Sequence, residues 1–173
     1  MFSSTAIKLV ADNIRPVFAK GRQSIDARYN MSIAAALAMG SAMFNAGPGL
    51  VHLIQDPIQV HFSHGAICAA LLPATMEYNL VAIPAKFARI AELMGENISG
   101  LSVRDAAAKS VVAVRNLIRD LGLPQRLSDI GITEADIPEL ARQADAINRE
   151  GIAFLSPRDA SAKDIAHILR SAL

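Results

Sequence analysis

Residues 47–65 concentrate the side chains of this chain that are able to do chemistry. They include three of the four histidines and one carboxylate, namely His52, Asp56, His61 and His64. The carboxylate is the only formally charged side chain between residues 28 and 77, so it lies in a stretch that a protein buries. Burying a titratable group is costly unless it is paired or bound to a metal. This stretch is therefore the candidate functional site.

The spacing of these residues allows two interpretations. His52 and Asp56 are one helical turn apart and share a face, where they can bind a metal or the carboxylate can orient the imidazole. With His61 and His64 across a short loop, the donors suit Zn²⁺ or Fe²⁺. Alternatively, His52 and His64 lie at helix ends and hydrogen-bond to loop carbonyls. Such groupings are common, so spacing alone favours the structural interpretation.

The length and composition predict one folded domain over residues 1–173. The chain has 17 basic and 16 acidic residues, so it has no large excess of positive charge to attract nucleic acid or an acidic membrane. We expect neither partner. Residues 29–55 carry no charge, but they are rich in Ala, Gly, Ser and Asn and are interrupted at residues 47–48. This composition favours a buried core over a membrane span.

Cys68 is the only cysteine, so the chain cannot form an internal disulfide. A single thiol fits a reducing compartment, and we expect a cytoplasmic protein. The setting GAICAALL predicts a buried, unreactive thiol rather than a nucleophile. No glycine-rich phosphate loop and no G-x-S-x-G motif is present. A metal-dependent hydrolase built on the same histidines has no support beyond the metal-capable residues.

The hydrophobic pattern is helical almost throughout, without convincing alternation, and predicts an all-α multi-helix bundle. The predicted helices span residues 5–19, 25–45, 50–55, 65–78, 85–94, 102–121, 133–149 and 161–173. The last three open with S/T-x-x-D capping boxes at Ser102, Thr133 and Ser161. Residues 58–63 are predicted to form a loop.

The same pattern makes side-chain predictions. Met39, Met43 and Phe44 lie at helical spacing and are predicted to pack in the core rather than to bind a cofactor. The helix that opens at Ser102 is predicted to bury a core stripe of Val103, Ala107, Val111, Val114, Ile118 and Leu121. His167 lies in the last amphipathic helix and is predicted to be a surface residue.

Along essentially its whole length the chain resembles the C-terminal helical domain of the iron-containing (group III) alcohol dehydrogenases. Within that family it is similar to the NAD-dependent methanol, lactaldehyde and propanediol dehydrogenases. The residues that carry the resemblance are ARYNMSIAAALAMGSAMFNAGPGLVH, HGAICAALLPATMEYNL, KFARIAELMGENISGLSVRDAAAKSVVAVRNLIRDLGLPQRLSDIGITEADIPELARQA and SPRDASAKDIAHIL. The match in the second half is independent of the histidines.

The resemblance implies a two-domain enzyme in which an α/β domain binds NAD(P) and the all-α domain supplies metal ligands. The metal is Fe²⁺, often replaceable by Zn²⁺, and it polarises the oxygen of a small alcohol or aldehyde substrate. The histidine of the family's G-x-V-H segment corresponds to His52. The histidine of the family's P-H-G segment corresponds to His64, within S-H-G. These two residues are the predicted metal ligands.

Several positions depart from the family pattern. The chain starts after the D-A-x-x-H segment that supplies the family's other two ligands. Asp56 stands where the family usually has a second histidine, and it is the candidate catalytic residue or a substitute ligand. The loop from Pro57 to His64 is two residues shorter than usual, Ser63 replaces a proline, and His61 matches a variable position.

These departures set the functional expectations. Without an α/β domain we expect the chain to be inactive alone and NAD(P) to bind only if a separate α/β half is supplied. We expect apolar surface around residues 47–65 and hence self-association or pairing with a separate cofactor-binding subunit. The alternative is a non-catalytic helical remnant or a partner-binding subunit.

Overall fold

The computed structural model describes residues 1–149 and 156–173. Within these ranges the chain forms eight α-helices and no strand, which confirms the all-α prediction. The helices are α1 (Phe2–Lys20), α2 (Ile25–Ser41), α3 (Gly49–Gln55), α4 (His64–Leu80), α5 (Pro84–Leu93), α6 (Val103–Asp120), α7 (Ile137–Arg149) and α8 (Ala162–Ser171).

The helices fall into two compact units. The first consists of Met1–Asn45 and Pro84–Ala113, and the second of Ala46–Ile83 and Val114–Leu173. Helix α6 therefore contributes its first part to one unit and its last part to the other. The candidate site at residues 47–65 belongs entirely to the second unit. That residues 1–173 form one domain stays a prediction.

In the first unit, α1 packs along α2 and also contacts α5. The buried residue of α1 is Ala6 and that of α2 is Ala34, both small side chains. The α-helical hydrogen-bonding of α2 ends at Ser41, and a single π-helical turn, Ala42–Ala46, completes the segment predicted as one helix.

The prediction that Met39, Met43 and Phe44 pack in the core is wrong. Their exposed fractions are 62%, 75% and 83%. The segment predicted as residues 25–45 is apolar all the way round, but such a helix is fully buried only where other elements surround it. In the first unit, α2 packs chiefly against α1, so the apolar side chains of this segment that point away from α1 stay exposed.

The second unit contains a continuous apolar core to which α3, α4, α7 and α8 all contribute. Its fully buried large side chains are Leu53, Ile54, Leu71, Leu127, Ile137, Ile165, Ile168 and Leu169. Two polar groups of α4 have hydrogen-bond partners: the Thr75 hydroxyl donates to the Leu71 carbonyl of the same helix at 2.6 Å, and the Tyr78 hydroxyl donates to the distant Asp159 carbonyl at 2.6 Å. The core therefore fixes α3 and α4, the two helices that carry the candidate site.

The capping predictions hold to different degrees. The Ser161 box is complete, since its hydroxyl accepts from the Asp164 N–H and the Asp164 carboxylate accepts from the Ser161 N–H. The Ser102 hydroxyl accepts from the Asp105 N–H at 3.2 Å, and α6 begins at the next residue. Val103, in that first turn, is 55% exposed, so its predicted place in the core is wrong.

The third capping prediction places the helix start too early. The Thr133 N–H donates to the Asp136 carboxylate, as expected of the box, and the Thr133 hydroxyl donates to the same carboxylate. However, residues 134–136 form turns, and α7 begins only at Ile137. Pro138 has no N–H to donate to the Glu134 carbonyl, so a helix that started at Thr133 would lack one of its first hydrogen bonds.

No single helix among the described residues is long and apolar enough to cross a membrane. The segments Ile25–Phe44 and Gly49–Gln55 meet that length and composition only when taken together as an interrupted pair.

Candidate metal centre

His52 is positioned by the short helix α3. Gly47 and Gly49 have positive φ angles of 62° and 70°, a conformation that glycine adopts without strain, and they turn the chain into this helix. α3 ends where Pro57 follows Asp56. The helix buries Leu50, Leu53 and Ile54 in the core, which fixes its orientation and leaves the neighbouring His52 half-buried.

His64 is the first residue of α4. Ser63, the residue that departs from the family's proline, is the N-cap of this helix, and its hydroxyl accepts from the Ala66 N–H at 3.3 Å. The cap defines where the helix starts and therefore the direction in which His64 projects. Cys68 follows one turn later, so its side chain lies on the same face as His64.

The fold brings the side chains of His52, His64 and Cys68 together. The two imidazole rings have centroids 5.0 Å apart and are tilted by 45°. Cys68 Sγ lies 3.6 Å from His64 Nε2, within hydrogen-bonding distance. One donor atom from each of the three residues lies within 4.8 Å of the other two. Bonds of about 2.0–2.3 Å to one ion require the three donor atoms to move somewhat closer together than they lie here.

The environment of His52 favours the neutral imidazole. Burial lowers its pKa, and the proximity of His64 lowers it further, while the approach of the Pro48 carbonyl to the ring acts in the opposite direction. His52 Nδ1 is buried, and its contact with the Pro48 carbonyl falls short of normal hydrogen-bond geometry. A neutral imidazole is the form that binds metals.

Cys68 is half-buried rather than buried, which corrects the prediction from its apolar setting. The Cys68 thiol lies beside the His64 ring. Burial raises the pKa of the thiol, so the sulfur holds its proton more tightly than a free cysteine does unless an ion displaces it. The sequence signal for Cys68 as a third donor was its four-residue spacing from His64, which the apolar surroundings obscured.

The other predicted residues lie outside this cluster. Asp56 is exposed at the end of α3; its backbone N–H donates to the His52 carbonyl at 3.0 Å, but its carboxylate does not belong to the group of close donor atoms. His61 is exposed in the loop before α4. His167 is exposed on α8, as predicted.

The chain belongs to the Fe-containing alcohol dehydrogenase family, because residues 1–173 match the profile described as "Fe-containing alcohol dehydrogenase family, C-terminal". This confirms the resemblance inferred from the sequence. The C-terminal domains of this family hold the metal, and the cluster of His52, His64 and Cys68 is a possible site for it. Two imidazoles and a thiol are chemically suited to a transition metal, and their donor atoms lie within 4.8 Å of one another.

Particular relatives sharpen the comparison. The chain is 46% identical over 169 residues to 1,3-propanediol dehydrogenase of Klebsiella pneumoniae, covering 96% of this chain and 42% of that enzyme. It is 37% identical over 175 residues to NAD-dependent methanol dehydrogenase of Bacillus methanolicus, covering 99% of this chain and 44% of that enzyme. The crystal structure of a 1,3-propanediol oxidoreductase matches with a TM-score of 0.90 and 44% identity, over 98% of this chain and 44% of that one. The chain thus spans less than half the length of these relatives.

Proposed function

We propose that this chain is the metal-holding part of an NAD(P)-dependent oxidoreductase that interconverts small alcohols and aldehydes. The observation that carries the proposal is the approach of His52 and His64, with ring centroids 5.0 Å apart, in a chain of this family. Relatives named as propanediol and methanol dehydrogenases support a small alcohol as the substrate class.

The chain's own residues prepare the site for an ion. His52 and His64 would hold Fe²⁺ or Zn²⁺, and either ion supplies a Lewis acid for an alcohol or carbonyl oxygen. The lowered pKa of His52 keeps its imidazole neutral and available at neutral pH. The Ser63 cap holds the start of α4, and with it His64, in place.

Asp56 is the candidate catalytic carboxylate of the proposal. It lies one helical turn from His52 and is exposed, so its carboxylate can exchange a proton with solvent or with a bound substrate. Because Asp56 is outside the cluster of close donor atoms, we assign it a proton-handling role rather than metal binding.

The hydride acceptor in this proposal is NAD(P), held by an α/β half. The matched region covers 42% of the propanediol dehydrogenase, so the remaining part of that enzyme is a suitable source of such a half. We propose that activity requires both parts and the metal together.

A hybrid protein tests this function. The chain is joined to, or mixed with, the unmatched part of the Klebsiella enzyme, and NADH formation from 1,3-propanediol is measured with Fe²⁺ or Zn²⁺. We expect metal-dependent activity that is lost in His52→Ala and His64→Ala and kept in His61→Ala. A folded hybrid that binds metal and NAD but oxidises neither 1,3-propanediol nor methanol would count against the proposal.

A second candidate is a partner-binding helical subunit without catalysis. The exposure of Met39, Met43 and Phe44 in the first unit favours it, because such apolar surface is commonly covered by another protein. The occupant would be a second copy of the chain or a cofactor-binding subunit. Phe62, within residues 47–65, is 43% exposed and adds apolar surface in the second unit.

Sedimentation velocity over a range of protein concentrations tests this candidate. Met43→Ser combined with Phe44→Ser should weaken self-association, while Leu101→Ser, at another exposed apolar position, should leave it unchanged. A wild-type chain that stays monomeric at high concentration and gains no stability from an added α/β half would exclude the candidate.

A further inference from the structure

The thiol of Cys68 has a place in the candidate metal centre that the family resemblance did not assign. We propose that Cys68 is a direct metal ligand and that, with His52 and His64, it makes a site that prefers Zn²⁺ to Fe²⁺. The inference rests on the proposed function in one respect, since it concerns the same metal centre. It adds a third donor and a choice of metal.

The position of Cys68 on α4 suits a metal ligand. Its sulfur lies 3.6 Å from His64 Nε2, and the three donor atoms of the cluster lie within 4.8 Å of one another. His64 and Cys68 are one turn apart on α4, and the turns between and after them are anchored in the core by Ile67 and Leu71, which are 2% and 0% exposed. The pair is therefore held together by a rigid helix rather than by a loop.

His52 approaches the pair of His64 and Cys68 from a second helix. Its helix, α3, packs against α4, so the third donor comes from a different element of the same unit. The centroid of its ring lies 5.0 Å from that of His64. A simple hydrogen bond between Cys68 and His64 accounts for their distance from each other, but it does not account for the donor atom of His52 lying beside both of them.

The chemistry of the donors gives the metal preference. Imidazole sites bind Zn²⁺ more tightly than Fe²⁺, and a soft thiolate ligand widens that difference, so the contribution of Cys68 is the part of the Zn²⁺ advantage that Cys68→Ser removes. On binding, the Cys68 thiol passes its proton to water as the metal–sulfur bond forms, and no oxidant or reductant takes part. Three protein donors are also the usual number in catalytic zinc sites, which keep a position for an oxygen ligand.

Co²⁺ is a direct probe of the sulfur ligand, because Cys68 is the only cysteine and any sulfur-to-cobalt charge-transfer band must come from it. We expect this near-ultraviolet band in the wild-type chain and its loss in Cys68→Ser. His61→Ala, which alters an exposed histidine outside the cluster, should keep the band. Co²⁺ bound by the wild type without the band would overturn the proposal.

Competition under anaerobic conditions tests the preference. We expect the wild-type chain to bind Zn²⁺ more tightly than Fe²⁺, and Cys68→Ser to weaken Zn²⁺ binding on the order of 100-fold. The advantage of Zn²⁺ over Fe²⁺ should shrink in the same variant. Equal binding of Zn²⁺ by wild type and Cys68→Ser would contradict a direct ligand.

Alkylation of Cys68 in the wild-type chain gives an answer even if the variant does not fold. Bound Zn²⁺ should slow its reaction with iodoacetamide, and a chelator should restore the rate. No protection at saturating Zn²⁺ would overturn the inference. If the histidines bind metal but no sulfur signature is seen, the Cys68 proposal fails and the proposed function still stands. If the metal has a sulfur ligand but the hybrid protein is inactive, the proposed function fails and the Cys68 proposal still stands.

Discussion

The sulfur of Cys68 and the Nε2 atom of His64 lie 3.6 Å apart across one turn of α4. The His64 ring is in turn 5.0 Å from the ring of His52, on α3. Both helices belong to the same compact unit and share its apolar core. The cluster is therefore organised by this unit itself, and the predictions below concern its chemistry and the packing that supports it.

The stability of the metal-free chain should depend on pH through His52. Its pKa is lowered from 6.5 on folding, chiefly by burial and then by His64, so the unfolded chain takes up this proton more readily. The stability contributed by neutral His52 is thus fully present above the unfolded pKa and is lost as the pH falls through the lower folded pKa.

Urea unfolding of the metal-free chain, followed from neutral pH down to about pH 5, measures this effect. We expect the wild type to lose more stability than His52→Asn over that interval, because only the wild type has this proton to take up. Parallel pH profiles for the two proteins would show that His52 is not buried as the structure indicates.

The Ser161 capping box should contribute measurably to the stability of α8. Ser161→Ala removes the hydroxyl that accepts from the Asp164 N–H, and we expect a loss of about 1 kcal/mol in the free energy of unfolding. Ser161→Thr retains a capping hydroxyl and should lose less. Identical denaturation midpoints for the wild type and Ser161→Ala would contradict the role of the cap.

Leu169 should be among the most sensitive positions of the second unit. It is 0% exposed, and Leu169→Ala leaves a cavity among α4, α7 and α8 that should cost about 2–5 kcal/mol. Leu101, which is 41% exposed, is the matched control, and Leu101→Ala should change the free energy of unfolding by less than about 0.5 kcal/mol. Similar losses at the two positions would contradict the assignment of the core.

The sequence predicted local structure well wherever the local chemistry is decisive. The Ser161 box and the amphipathic pattern that follows it define α8 without reference to the rest of the chain. The start of α7 was placed too early, because the polar pattern at Thr133 looks like a helix start but Pro138 lacks the N–H that would bond to the Glu134 carbonyl.

Packing between elements was harder to predict, because it depends on neighbours that periodicity does not identify. Met43 and Phe44 have the pattern of core residues, yet they lie beyond the part of α2 that packs along α1. Spacing alone also could not bring His52 to His64, since their distance depends on how α3 packs against α4. The same contact places Cys68 in the cluster, and its apolar neighbours concealed it.

The central claim is that His52 and His64 hold a metal, and metal content tests it most directly. The purified chain is stripped of metal, Fe²⁺ or Zn²⁺ is added back, and bound metal is counted in the wild type, His52→Ala, His64→Ala and the control His61→Ala. We predict about one ion per chain in the wild type and in His61→Ala, and none in the other two. A folded wild-type chain that binds no metal, or His52→Ala and His64→Ala variants that bind as much as the wild type, would contradict the claim.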